Sequence, residues 1–101
     1  MTQATTTDLL TADSIEVRLF LLAWHENGRA GFERRAPYLD YDAHELKHAI
    51  ERKRWICLDH GKSGAFVADR QTHEVYTIKA YGRPNRKIGT LESLTAEYVG
   101  L

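Results

Sequence analysis

The sequence has few of the features that mark secreted or membrane-embedded proteins. Cys57 is the single cysteine, so no internal disulfide can form, and a reducing compartment suits the chain. The longest uninterrupted apolar run, Leu19 to Trp24, has 6 residues, whereas a membrane-spanning helix needs about 20. The N-terminus has neither the basic start nor the apolar stretch of a secretory signal. These absences predict a cytoplasmic protein that does not contact a membrane.

Repeats and low-complexity segments are also absent, and the remaining composition is that of a folded chain. Apolar residues make up 43% of the sequence and aromatic residues 10%, which excludes a disordered protein. A chain of 101 residues forms one domain and buries roughly 60–70% of its unfolded surface, which leaves little room for a deep cleft. We predict a disordered tail at residues 1–10 and a single α+β domain at residues 11–101.

The net charge is zero because two unlike regions cancel. Residues 46–90 hold 10 Lys and Arg against 4 acids, whereas residues 1–45 hold 4 Arg against 8 acids. A basic central region flanked by acidic ends indicates an anionic partner such as nucleic acid. The alternative is that the oppositely charged regions pair with each other in the fold.

A first helix is predicted over residues 14–26. The stretch Asp13-Ser-Ile-Glu16 has the pattern of a capping box, and Asn27-Gly28 is a typical helix stop. Residues 28–40 would then be a connector. A strand is the alternative for this element, because apolar residues also alternate between positions 15 and 21.

Two further helices are predicted later in the chain. Asp40 or Asp42 can cap a helix over residues 42–54, which ends in three consecutive basic residues. Thr90 can cap a last helix over residues 91–99. Either aspartate, like the threonine, would accept a hydrogen bond from the free N–H groups of the first helical turn.

Between these helices the sequence predicts a small antiparallel sheet. Short runs rich in β-branched and aromatic residues, separated by turn residues, indicate strands at 55–58, 65–68 and 74–80. Residues 82–85 are predicted to form a turn. The predicted fold is α+β with the order α-α-β-β-β-α, a three-stranded antiparallel meander covered by helices in two layers. The α-β-β-β-α part is similar in topology to double-stranded-RNA-binding domains and to the arm-binding domains of phage-type integrases.

Residues 44–48 spell HExxH, the spacing at which two histidines and a glutamate act in zinc peptidases. On the predicted helix the apolar residues lie on the opposite side, so His44 and His48 would face solvent. Lys47 lies between them, and its charge opposes a metal ion. We therefore predict no metal site, no cofactor and no catalytic residue, with a minimal HExxH zinc hydrolase as an alternative.

The segment from Lys79 to Ile88 combines cations, an aromatic ring and a glycine just before the predicted last helix. These groups suit phosphate binding, since cations attract the backbone and a helix N-terminus offers free N–H groups. A second basic cluster precedes Trp55, and either Trp55 or Tyr81 can stack on a base. The predicted nucleic-acid-binding residues are Arg52, Lys53, Arg54, Trp55, Lys79, Tyr81, Arg83, Arg86 and Lys87.

The leading hypothesis is a small non-catalytic module that binds a nucleic-acid backbone through this basic central surface. The second is a protein–protein interaction module, an adaptor or inhibitor that could form a homodimer. Its contact surfaces would be the apolar segment 15–24 and the C-terminal Val99-Gly-Leu101.

Overall fold

A computed structural model describes residues 9–100 of the chain. The strands form one antiparallel sheet in the order β1-β2-β3-β4-β5, so each strand pairs with its neighbour in sequence. The elements are α1 (Ile15–Arg35), α2 (Tyr41–His44), β1 (Lys47–Glu51), β2 (Trp55–His60), β3 (Ser63–Asp69), β4 (Glu74–Ala80), β5 (Arg83–Thr90) and α3 (Leu91–Tyr98).

The predicted α+β class is confirmed, and the described residues form one small domain. The predicted strand number is wrong, because five strands replace three, and the likeness in topology to double-stranded-RNA-binding and integrase arm-binding domains is lost with it. No helix within residues 9–100 is long and apolar enough to span a membrane. The first eight residues of the predicted tail, and Leu101, lie outside the described residues.

The core lies between one face of the sheet and the helices α1 and α3. Alternate residues of β2 point to this face, and they meet side chains from the first turns of both helices. Leu10 also belongs to the core, and its N–H donates to the Arg70 carbonyl at 3.0 Å, so the core begins one residue before the predicted domain boundary. The buried cluster comprises Leu10, Val17, Phe20, Ile56, Leu58, Ala68, Val75, Leu91 and Leu94.

The opposite face of the sheet, here called the open face, carries the other set of alternating residues. Trp55, Cys57 and Asp59 of β2 point to it, because Ile56 and Leu58 point to the helices. Cys57 and Val67 are nevertheless buried. Long side chains that extend from strands and turns across the open face therefore shield its centre.

The helix α1 is 21 residues long and continues past the predicted stop at Asn27-Gly28. Tyr41 explains why: its hydroxyl donates to the His25 carbonyl at 2.6 Å, and a Cβ placed on Gly28 would lie only 2.8 Å from that hydroxyl. Because Gly28 has no side chain, the Tyr41 hydroxyl can pack directly against the helix backbone. Packing of Phe32 on the Tyr41 ring then stabilises the turns that follow Gly28. The glycine here is a docking point within the helix rather than its end.

The predicted helix over residues 42–54 is wrong. The helix α2 is a single turn, and residues 47–51 form the strand β1, which pairs with β2. Ala49 lies opposite Leu58 and packs against the core, whereas its neighbour Ile50 lies opposite Cys57 on the open face. Pairing with β2 therefore overrides the local helical spacing, as tertiary contacts often do.

The predicted turn over residues 82–85 is replaced by the start of β5, which is an edge strand. The chain reverses at Tyr81-Gly82, where the positive φ of 76° requires a glycine. Pro84 lies within β5 opposite Ile78. An edge strand tolerates proline because one side of it needs no N–H donor.

The three predicted caps have different outcomes. Asp40, one of the two candidates for the second helix, caps α2, and its side chain accepts from Asp42 N–H at 3.1 Å. The capping box at Asp13 is wrong, because Ser14 is the N-cap of α1 and its side chain accepts instead from Thr11 N–H at 2.8 Å. The cap at Thr90 is confirmed. Its Oγ1 accepts from Ser93 N–H at 3.1 Å, and the Ser93 hydroxyl accepts from Thr90 N–H at 2.9 Å.

Candidate functional site

The nine predicted nucleic-acid-binding residues fall into two groups. Residues 52–55 form the turn from β1 to β2 and the start of β2, and the other five belong to the hairpin of β4 and β5. Since turns of a meander alternate between the two ends of the sheet, these turns lie at opposite ends. The second group is also separated from the N-terminus of α3 by the strand β5, so the predicted position just before a helix is wrong.

Tyr81 brings the two groups together on the open face. Its ring crosses β3 at Gly64, where a Cβ would lie 2.7 Å from the ring atom Cδ1. The Arg52 guanidinium extends from the opposite end of the sheet to 5.9 Å from the centre of this ring. The Tyr81 hydroxyl, and after it the Cys57 thiol, raises the pKa of Arg52 above its ordinary value. The result is an arginine–tyrosine cation–π pair over the middle of the sheet.

Asp59 lies beneath the Arg52–Tyr81 pair, and only 4% of its surface is exposed. Its Oδ2 accepts a hydrogen bond of 2.9 Å from Tyr81, and the His48 Nε2 lies 3.7 Å away. Its Oδ1 has no hydrogen-bond partner among the described residues. Burial, and after it the hydrogen bond to Asp59, raises the pKa of Tyr81. The carboxylate therefore fixes Tyr81 in its position across the sheet.

A second cation–aromatic pair lies at the other end of the open face. The Arg54 guanidinium is 4.9 Å from the centre of the Trp55 ring, and Trp55 packs edge-on against Tyr76 with ring centres 5.6 Å apart. The Tyr76 hydroxyl donates to Glu74 at 3.1 Å, and Lys87 also donates to Glu74 at 2.8 Å. On this face Trp55 and Tyr81 thus each make a cation–π contact with an arginine.

The predicted cations differ in whether an acid neutralises them. Lys87 pairs with Glu74 at 2.8 Å, and Arg54 lies 3.6 Å from Asp69. Both of these acids belong to the basic central region, so this pairing does not join it to the acidic ends. No carboxylate among residues 9–100 lies within 4.0 Å of the remaining predicted cations, which are all exposed: Arg52, Lys53, Lys79, Arg83 and Arg86.

A concave site that the sequence did not indicate lies on the helix-covered side of the sheet. This aromatic cleft, of about 320 Å³, is bounded by α1, α2, α3 and the ends of β1, β2 and β3. Its lining includes Trp24, Tyr41, Lys47, His60, Phe66 and Tyr98. The expectation that a chain of this length has little room for a cleft overlooked the extension of α1, which supplies one wall.

Lys47 lies between two rings at the edge of the aromatic cleft. Its Nζ is 5.3 Å from the centre of the Trp24 ring and 5.0 Å from that of Tyr41. It donates to the Glu45 carbonyl at 2.8 Å and to the Tyr41 hydroxyl at 3.2 Å. Burial lowers the pKa of Lys47. The alternation of β1 places this lysine on the helix side of the sheet. The sequence does not indicate this position, because it predicts a helix for the segment.

The HExxH residues do not share one helical face. His44 ends α2, Glu45 follows it, and His48 lies in β1 on the open face beside Asp59. The Glu45 carboxylate lies 3.1 Å from the His60 Nδ1 in the aromatic cleft. His44 and Glu45 lie side by side, with 4.0 Å between Nε2 and Oε2, whereas His48 lies on the open face. The helical geometry that the zinc-peptidase pattern assumes is therefore absent.

Two groups of described residues have ligand atoms close enough to hold a metal ion. One is His25, Glu26 and Asp42, where Arg29 already donates to both acids, at 2.7 Å to Glu26 and 2.6 Å to Asp42. The other is Glu16, His73 and Glu92, in which the His73 Nδ1 lies 2.7 Å from a Glu92 oxygen. In the first group Arg29 thus already binds both acids. In the second group His73 is already paired with Glu92.

The fold and the site define a small α+β protein whose antiparallel sheet has one helix-covered face and one face bearing paired cations and aromatic rings. Comparisons with protein-family models, with curated proteins and with solved structures find no match to this chain. A functional assignment therefore depends on the geometry of its own residues.

Proposed function

We propose that the protein is a non-catalytic, cytoplasmic module that binds single-stranded nucleic acid on the open face. The observation that carries this proposal is the position of Tyr81, which is 49% exposed, is held by Asp59 and has the Arg52 guanidinium 5.9 Å from its ring centre. A base that stacks on a fixed aromatic ring avoids the entropy cost of ordering that ring. Stacking of this kind contributes about 1–3 kcal/mol per base and is available to unpaired bases.

Charge at the adjoining edge of the sheet also supports this proposal. Arg83 and Arg86 lie on the edge strand next to Tyr81, are exposed, and have no acid within 4.0 Å among the described residues. Such cations displace counterions from phosphates, which makes affinity depend strongly on salt. Cations on an edge strand also discourage pairing between sheets, so charge alone is weaker support than the fixed ring.

The test is the anisotropy of a labelled 12-nucleotide DNA or RNA strand titrated with the protein at 50 and 200 mM salt. We expect binding that weakens steeply at the higher salt and that falls at least tenfold in the variant Arg83→Ala/Arg86→Ala. The control is Arg18→Ala/Arg34→Ala, which removes two exposed charges from α1. Equal losses in the two double variants, or binding unaffected by salt, would contradict the proposal.

The ring is tested separately from the charge. Tyr81→Ala should weaken binding by a further fold-change equivalent to about 1–3 kcal/mol. Tyr81→Phe retains the ring and should keep most of the affinity wherever it remains folded. A duplex of the same sequence should bind less tightly than the single strand.

A protein–protein interface is the second candidate, favoured by an exposed apolar row on α1. Ile15, Leu19 and Leu22 lie on one side of the helix, with Leu22 64% exposed, and Val99 of α3 is exposed nearby. Two grooves, of about 250 and 350 Å³, lie there between α1 and α3 and are lined by residues of both helices. Sedimentation of the protein and of Leu19→Lys/Leu22→Lys tests a homodimer, which the double variant should dissociate.

A further inference from the structure

The aromatic cleft has the form of a small-molecule site and lies on the opposite side of the sheet from the open face. Its volume of about 320 Å³ is at the lower end of the range for ligand pockets, roughly 300–1,000 Å³. Such pockets are mostly apolar with a few convergent polar groups. The proposed nucleic-acid surface uses none of the residues that line the cleft.

The walls of the cleft are aromatic and are held in position by one another. Trp24 meets Phe66 at 5.2 Å between ring centres with the planes at 63°, and it meets His60 at 6.0 Å with the planes at 79°. Tyr98 of α3 completes the wall and packs on the neighbouring Phe20 at 5.7 Å. Perpendicular rings leave flat faces against which a planar ligand can pack.

The polar groups of the cleft are mostly basic. Glu45 binds the His60 Nδ1, which orients the imidazole and leaves Nε2 without a partner among the described residues. Arg35 also lines the cleft, and no carboxylate of residues 9–100 lies within 4.0 Å of it. Lys47 adds positive charge at the edge, although protein oxygens accept its hydrogen bonds. A single acid, Glu45, thus faces three basic side chains.

We propose that the aromatic cleft binds a small planar aromatic carboxylate, whose ring packs against Trp24 and Phe66 and whose carboxylate is met by Arg35. The planar ring matches the walls, and the anionic group matches the excess of positive charge. The Glu45–His60 hydrogen bond has a positioning role, because it fixes the imidazole as part of the wall beside Trp24. An arginine guanidinium is a fork of N–H donors suited to a carboxylate.

The two tryptophans provide the test, since Trp24 lines the cleft and Trp55 lies on the open face. Benzoate is titrated into ¹⁵N-labelled protein while the two indole N–H signals are followed, after assignment with Trp24→Phe and Trp55→Phe. We expect a saturable shift of the Trp24 signal and an unchanged Trp55 signal. Cyclohexanecarboxylate, which has the charge without the planar ring, and benzamide, which has the ring without the charge, should each bind at least about tenfold more weakly.

Matched variants locate the anion contact. Arg35→Ala should weaken benzoate binding about tenfold or more, the loss expected for a charged hydrogen bond. Arg34→Ala, one residue away on the same exposed helix end but outside the cleft lining, should leave it unchanged. No shift of Trp24 up to 20 mM benzoate in protein with a folded spectrum overturns the proposal. Equal affinities for benzoate and cyclohexanecarboxylate, or equal effects of the two arginine variants, overturn it as well.

Benzoate binding in the aromatic cleft is independent of the proposed nucleic-acid function. Arg83→Ala/Arg86→Ala should bind benzoate as the unchanged protein does, and Arg35→Ala should bind the labelled strand normally. Loss of one kind of binding without the other therefore identifies which of the two proposals fails.

Discussion

At the scale of single residues, Asp59 and Tyr81 define the open face. A carboxylate with one oxygen unpartnered among the described residues is costly inside a protein, because burial removes the water that would solvate it. The other oxygen has one short hydrogen bond, from Tyr81 at 2.9 Å, and a histidine 3.7 Å away. The Tyr81 hydroxyl is therefore important for stability as well as for holding its own ring.

We predict that Tyr81→Phe lowers the free energy of unfolding by about 1–3 kcal/mol, because it leaves a buried carboxylate without its donor. Urea denaturation followed by circular dichroism measures this loss. The control is Tyr38→Phe, a hydroxyl on a side chain that is 82% exposed, which should change stability by less than about 0.5 kcal/mol. If the two variants were equally stable, the Tyr81–Asp59 hydrogen bond would contribute nothing to folding.

At the scale of elements, α1 depends on contacts made in its second half. His25, Gly28 and Phe32 lie within contact distance of Tyr41, and Arg29 joins the helix to Asp42 of α2 at 2.6 Å. This junction carries one wall of the aromatic cleft. The short helix α2 is therefore a support for the longer one, although only four residues form it.

Two glycines on α1 should respond in opposite directions to the same substitution. Gly28→Ala places a methyl group 2.8 Å from the buried Tyr41 hydroxyl, and we expect it to cost about 1–3 kcal/mol through overpacking. Gly31→Ala meets only the flexible ends of Arg35 at 3.4 Å and Arg34 at 3.9 Å, and it should stabilise the helix by about 0.5–1 kcal/mol. Urea midpoints of the two variants measure both effects. A stabilising Gly28→Ala would show that Tyr41 does not dock there.

Some elements could be predicted because their signals are local. The strand β4 is rich in β-branched and aromatic residues, and α3 follows the N-cap Thr90, whose capping partner Ser93 lies three residues later. The strands β1 and β5 could not be predicted in this way. Their residues extend because β2 and β4 offer partners, and in β5 the edge position makes Pro84 acceptable. Pairing with a neighbouring strand, rather than the residue types within β1 and β5, therefore determines that these segments are strands.

At the scale of the whole molecule, charge is arranged in small groups rather than by halves of the chain. Among the described residues, Arg29 joins Glu26, Glu33 and Asp42 within the acidic N-terminal half, and Lys87 joins Glu74 within the basic centre. The sequence shows which residues are cations, but their predicted position just before the last helix is wrong. It could not indicate their grouping, which depends on how Tyr81 crosses the sheet. The aromatic cleft was missed because its lining comes from six separate elements.

These groups predict how stability changes in acid. Hydrogen bonds from Arg29, and after it from His25, lower the pKa of Asp42 to about 2, below its ordinary value of about 4. A carboxyl whose pKa is lower in the folded protein adds stability above pH 4, and this stability is lost as pH falls from about 4 to 2. Asp42→Asn should therefore be less stable at neutral pH and lose less between pH 4 and 2.

The measurement is the urea midpoint at several pH values for the unchanged protein and for Asp42→Asn. The control is Asp13→Asn, an exposed carboxyl with no ion pair among the described residues, which should keep the original pH profile. Parallel profiles for the original protein and Asp42→Asn would contradict the assignment of this acid-sensitive contribution to the Arg29 group.

The meander order of the sheet has a consequence for how a nascent chain assembles. Each hairpin can close as soon as its second strand leaves the ribosome, because neighbouring strands are also neighbours in sequence. The core is different, since it needs α1 from one end of the chain and α3 from the other. Until synthesis passes residue 98, the newly formed sheet presents an incompletely covered apolar surface. That interval is when the chain is most exposed to aggregation and most in need of chaperones.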